Sequence, residues 1–138
     1  MQPEREALSK RRMEQAKQCL VSADVLLKIN DLRGAVNRAY YAVFHAMRSV
    51  LILEGKDFAK HSGVISYFRR EYIKAGIFTV EISDTITELF NNRSSGDYDD
   101  YFDFTEDEVR DMIAEAKRFV SVIGAYHEKR QSFRKNGI

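Results

Sequence analysis

The sequence predicts an all-α fold, an antiparallel up-and-down helical bundle of four to five helices. Three observations carry this. Apolar residues recur at helical spacing in several separate segments, and Pro3 is the only proline, so no proline breaks a helix after the first turn. The connections between these segments are short, which makes neighbouring helices pack side by side in opposite directions.

The first helix is expected from about Glu4 to Ile29, with Met13, Ala16, Leu20, Ala23 and Leu27 on one stripe. "NDLRG" interrupts it, and Asp31 is placed to cap the next helix through its side-chain carboxylate. That second helix, "AVNRAYYAVFHAMRSVLILEG", is apolar almost all round from Ala39 to Leu53 and therefore belongs at the centre of a bundle. Gly55 ends it where a left-handed residue is needed. After the polar link "KDFAKHSG", a shorter helix turns Val64, Ile65, Phe68 and Tyr72 inward and stops at Gly76. A fourth helix is expected from about Val80 to Arg93, with "SSG" releasing the chain after it. Thr105 and Glu108 form a capping box for the last helix, whose inner face runs from Val109 to Ile123.

At 138 residues the chain can bury a core within one domain, expected over 1–128, followed by a basic tail at 129–138 that frays. A net charge of +1 gives no bulk attraction to nucleic acid, so such binding needs a local patch. One cysteine, Cys19, excludes an internal disulfide and fits a reducing compartment. No apolar run reaches the roughly 20 residues of a membrane span, and "MQPEREALSKRR" lacks the apolar stretch of a signal peptide. These readings place the protein in the cytoplasm, away from membranes.

Arg93 is the most unusual placement. It follows Ile86 by seven residues and Phe90 by three, so it extends a buried stripe rather than a wet face. A guanidinium cannot shed its charge, so here it needs a carboxylate, a phosphate or a wet cleft. Asp97, four residues on, can pair with it; alternatively the arginine holds a phosphate in a cleft.

Three runs, "NRAYYAVFHAMRSVL", "KHSGVISYF" and "LFNNRSSGDYDDYFDFTEDE", together resemble the HEPN superfamily, and more narrowly its small stand-alone UPF0332 members. The resemblance extends from the first helix to about Val122, with the motifs in the expected order. It implies a helical bundle, a homodimer, and motif arginines facing a cleft between subunits. Many such proteins are metal-independent ribonucleases, often toxins paired with a minimal nucleotidyltransferase. Their motif is an arginine followed, after four to six residues, by a histidine. Arg93 matches the arginine, while Tyr98, Asp99 and Asp100 hold the places for the histidine. A tyrosine with a pKa near 10 is a poor base at neutral pH. The departure therefore weighs against cleavage by this motif and leaves phosphate binding by Arg93 intact. In a variant site, Tyr98 or His61 of "KHSG" would move the proton.

The resemblance also makes Tyr98 and Tyr101 acceptors for a nucleotide transferred by the partner enzyme; the plainer reading packs both rings over the bundle end. Arg38 adds positive charge to the cleft, and Tyr40 and Tyr41 are read as core or dimer seam. His45 is read first as a satisfied structural histidine and second as a cleft residue, and His127 carries no signal. Arg69, Arg70, Lys74, Lys129, Arg130, Arg134 and Lys135 are read first as solvated faces and, in a dimer with a cleft, as charges that steer RNA or a partner protein.

A calcium loop would start at Asp97 with Asp99 and Glu108 at its later ligand places. Tyr101 and Phe102 then fall where a ligand and a glycine are required, so no metal or other cofactor is expected. Three functions remain in view. One is a module of a toxin–antitoxin-like system that binds RNA or a nucleotide and a nucleotidyltransferase. The others are a metal-independent endoribonuclease toxin and a purely structural helical protein.

Overall fold

The structure is a computed structural model and describes the backbone of residues 2–137, with side-chain surroundings for residues 3–134. Among these residues the helices are α1 (Gln2–Lys28), α2 (Leu32–Leu51), α3 (His61–Phe68), α4 (Val80–Tyr98) and α5 (Glu106–Gly137). A 3-10 turn, Ile52–Glu54, extends α2, and a π turn, Arg69–Ile73, extends α3. The result is the expected all-α up-and-down bundle.

Helix α2 is the axis, packed against α1, α3, α4 and α5 alike. Its interface with α1 is the most extensive, and small residues explain why. Ala16 and Ala23 on α1 and Ala35, Ala39, Ala42 and Ala46 on α2 are fully buried, which lets helix backbones approach closely. Leu20 and Leu27, expected on the same stripe of α1, are partly buried against that core. The remaining interior is filled by large side chains such as Phe68, Leu89, Phe119 and Ile123.

Local chemistry sets most of the boundaries. The Asp31 side chain accepts from the Gly34 N–H at 3.0 Å and starts α2. Gly55, at φ 74°, closes the 3-10 turn, and Gly76, at φ 85°, follows the π turn. At the start of α5, Thr105 and Glu108 each accept from the other's backbone N–H, at 3.1 and 2.8 Å.

Two expected boundaries are corrected. Helix α4 does not end at Arg93: "SSG" stays helical and α4 runs on to Tyr98. Gly96 is buried inside that extension because Phe104 folds back over it, and a Cβ there would sit 2.9 Å from the Phe104 ring. The expected frayed tail is the last part of α5, which continues through residues 129–137. Arg130 and Arg134 both bind Glu6 of α1, tying that segment to the bundle. The side chain of Lys135 lies outside the described residues.

Gly96→Ala tests the packing of α4. Alanine normally gains about 1 kcal/mol over glycine inside a helix. Here the Phe104 contact should reverse that sign, with a net loss of about 1–2 kcal/mol from overpacking, read from urea denaturation.

Candidate functional site

The polar stripe of α2 is narrow. Asn37, Arg38, Tyr41, His45 and Arg48 are half-buried, while the neighbouring positions of the helix are enclosed. Spacings of three and four place these residues on one face. Helix α4 brings Arg93 and Asp97 beside the stripe, the start of α3 brings His61, and the link before it brings Asp57.

Arg93 is held from several sides. Its Nε lies 2.9 Å from Asp97 Oδ2, and its Nη2 donates to the Tyr41 hydroxyl at 3.3 Å. The guanidinium stands 5.3 Å and 5.5 Å from the ring centres of Tyr40 and Tyr41. The Nε–H is not aligned with the carboxylate, so the contact to Asp97 is an ion pair in which Nε keeps no hydrogen bond. Asn37 connects this pair to Arg38: its amide donates to Asp97 at 3.5 Å, and its carbonyl oxygen accepts from Arg38 Nη2 at 2.7 Å. Arg38 also stands 5.1 Å from the Tyr41 ring centre, so two cations flank one aromatic ring.

The other end of the stripe contains residues to which the sequence reading assigned no role. Arg12 of α1, only 5% exposed, donates to Asp57 at 2.9 Å and to the Arg48 carbonyl at 3.3 Å. Arg48 reaches the same carboxylate at 3.2 Å. Burial alone raises the pKa of Asp57, but the two arginines outweigh it and hold the carboxyl below its ordinary range. Arg48, Asp57, Phe44, Phe58 and His61 line an open cavity of about 420 Å³. The available signal for Arg48 was its phase, three residues after His45 and seven after Tyr41. Asp57 gave no signal, because Arg12 lies far away in sequence and Arg48 is reached only by the chain turning back after α2.

His61 joins the two ends. Its Nδ1 lies 3.0 Å from the Tyr40 hydroxyl, and its ring centre is 4.1 Å from that of Phe44. Burial, then the charges of Arg93 and Arg48, lower its pKa and favour the neutral ring. Burial pushes the Tyr40 phenol up to about 12, so it remains protonated. His45 is depressed further, to about 4, first by burial and then by Arg48, Arg38, Arg12 and His61. Its Nδ1 is buried without a partner, which corrects the first expectation, a satisfied structural histidine, and leaves the second, a residue of the cleft.

The buried side-chain atoms lacking a hydrogen-bond partner among the described residues are His45 Nδ1, Arg48 Nε and Arg93 Nε. All belong to this cleft. Arg12 and Arg48 share Asp57, Arg93 pairs with Asp97, and Arg38 binds Asn37 and Cys19 instead of a carboxylate, so the cleft carries more arginines than carboxylates.

Tyr98 and Tyr101 lie elsewhere. They are 79% and 94% exposed, so neither ring packs over the bundle end, and no hydrogen bond or ring contact joins Tyr98 to Arg93 among the described residues. Arg33, missed by the sequence reading, holds the segment that carries them. It donates to the carbonyls of Gly96, Asp99 (3.0 Å), Asp100 (3.3 Å) and Phe102. His127 also has a place: its Nε2 lies 2.9 Å from the hydroxyl of buried Ser49.

Comparison with known proteins adds family information. The HEPN domain family profile matches residues 9–128. A UPF0332 protein of Thermotoga maritima is 40% identical over 108 residues, covering 78% of this chain and 82% of the relative. "Putative toxin MJ0605" of Methanocaldococcus jannaschii is 34% identical, covering 80% of this chain and 82% of the relative. "Putative toxin MJ0142" of the same organism is 28% identical, with coverages of 83% and 78%.

The depressed histidine makes a pH prediction. His45 has a folded pKa of about 4 against an ordinary 6.5, so the unfolded chain binds the proton first. Its contribution is fully present above the unfolded pKa and is lost as pH falls from there toward about 4. Urea midpoints measured across that window should decline, and His45→Gln should flatten the decline.

Proposed function

The chain belongs to the HEPN domain family, and from that membership we propose that it is a toxin-type member acting as a homodimer. It binds RNA or a nucleotide in the arginine cleft and works with a minimal nucleotidyltransferase partner. The observation that carries this reading is the excess of arginine over carboxylate in the cleft, where Arg12, Arg38, Arg48 and Arg93 stand against Asp57 and Asp97. A phosphate supplies both the acceptors and the negative charge that such a cleft lacks. Arg93 and Arg38, flanking Tyr41, are the phosphate-binding pair, and Asp97 orients Arg93. The names of the two toxin relatives support the same class.

A second reading, metal-independent RNA cleavage, is favoured by His61. Neutral and held by Tyr40, it is suited to move a proton where Tyr98, exposed and away from Arg93, is not. When Nδ1 donates to the Tyr40 oxygen, Nε2 is free to take the proton of a 2′-hydroxyl. That oxygen then attacks the adjacent phosphorus, the 5′ oxygen leaves with a proton from solvent, and Arg93 stabilises the charged phosphorane.

Expression of wild type, Arg93→Ala and His61→Ala separates these readings. Growth arrest with fragmented RNA, lost in both variants, is the outcome for a nuclease. Binding without cleavage should show as association with a single-stranded RNA that weakens with salt. Arg93→Ala should lower the slope of log affinity against log salt by about 0.7 for one phosphate contact. An unaltered transcriptome with no salt-dependent binding would leave the cleft as a structural ion-pair network.

Tyr98 and Tyr101 are proposed as acceptors in which a phenol oxygen attacks the α-phosphorus of a nucleoside triphosphate and pyrophosphate leaves. Their exposure supports the assignment. Incubation with the partner enzyme and nucleotide should raise the intact mass by one nucleotidyl unit, and Tyr98→Phe with Tyr101→Phe should abolish the gain. An unchanged mass with an active partner enzyme would remove this role.

A further inference from the structure

We propose that the C-terminal half of α5 carries a docking groove for an acidic amphipathic helix, on a surface that shares no residue with the arginine cleft. Three observations carry it: an exposed apolar floor, a helical seam and a basic rim.

The floor lies between α5 and the segment before α4, where a groove of about 690 Å³ opens to solvent. Phe78 anchors it, stacked on core residue Phe68 at 5.5 Å and meeting Tyr126 edge-on at 5.2 Å. These rings are set by the core, so the floor exists before anything binds. Above it, Ile77 is 49% exposed and Phe133 is 67% exposed, as large apolar side chains left in water on either side of one trough.

The α5 wall is formed by Val122, Tyr126, Lys129 and Phe133. Their spacings of four, three and four are those of a seam that receives the side chains of a second helix lying alongside. From Val122 to Phe133 the seam is about 16 Å long, or three helical turns. An acyl chain would stay half wet against walls this exposed. A helix covers them with its apolar stripe and presents its own polar back to water.

The rim sets the charge of the guest. Arg130 and Arg134 share one carboxylate, Glu6, and Lys129 stands beside them in the seam. Three cations against that one contacting carboxylate favour acidic residues flanking the guest's apolar stripe. The exposed apolar stripe at the end of α1, Val21 and Val25 with Ile29 just after the helix, lacks acidic flanks of that kind, since Asp24 is already engaged by Lys117. The guest is therefore assigned to another chain.

The test uses the full-length protein and two fluorescent peptides of about four helical turns, each with a leucine seam, one flanked by glutamate and the other by lysine. Anisotropy should show the glutamate peptide binding at least about tenfold tighter than the lysine peptide, a difference that shrinks with salt. Lys129→Glu should reduce that preference and Phe133→Ser should weaken binding of the glutamate peptide, both without changing the thermal melt, since both side chains are exposed. Equal affinity for the two peptides, no binding of either, or binding unaffected by Phe133→Ser would overturn the proposal. Self-association in sedimentation that Ile77→Asp abolishes would also overturn it, because the groove would then be occupied by a second copy.

Discussion

The enclosure of α2 is the constraint on which the rest of the molecule depends. Because α2 packs against every other helix, almost all of its surface must be apolar and small enough for close approach. Only one narrow stripe escapes, and Arg38, Tyr41, His45 and Arg48 occupy it. Any charge on that stripe sits beside the core, where it needs partners supplied by neighbouring helices. The cleft is thus a consequence of how the bundle is built, not an addition to its surface.

Those partners are used sparingly. Asp57 serves both Arg12 and Arg48, and Asp97 serves Arg93 while accepting weakly from Asn37. The faces of Tyr40, Tyr41 and Phe44 supply the remaining attraction for the arginines. Rings stabilise cations without cancelling their charge, so the local field stays positive. Burial first, and then that field, lower the pKa values of His45 and His61 and favour their neutral forms, an electrostatic push that a carboxylate-rich site would reverse. Positive potential, unprotonated imidazole and orphan donors are three readouts of one arrangement.

A different arginine governs the other end of α4. Arg33 gathers carbonyls from Gly96 to Phe102, while Phe104 covers Gly96. Carbonyls at a helix C-terminus have no partners within the helix, and a guanidinium with several donors can satisfy them together. This clamp extends α4 past the point where its serines and glycine would otherwise end it. It also leaves Tyr98 and Tyr101 outward, apart from Arg93.

Local chemistry was legible in the sequence: the helical class, the Asp31 cap, the left-handed Gly55, the Thr105–Glu108 box and the inward phase of Arg93 all depend on residues a few positions apart. So did the ion pair with Asp97, one helical turn away. The continuation of α4 through Gly96 and of α5 beyond residue 128 was not legible, because Arg33 and Glu6 act across long stretches of chain and Phe104 folds back from the loop after α4. The same holds for the Arg12–Asp57–Arg48 cluster and for the contact between His61 and Tyr40. Spacing determines what neighbours on one helix can do for each other; which distant side chains meet, and hence where charge is left uncompensated, was decided only when the helices closed around α2.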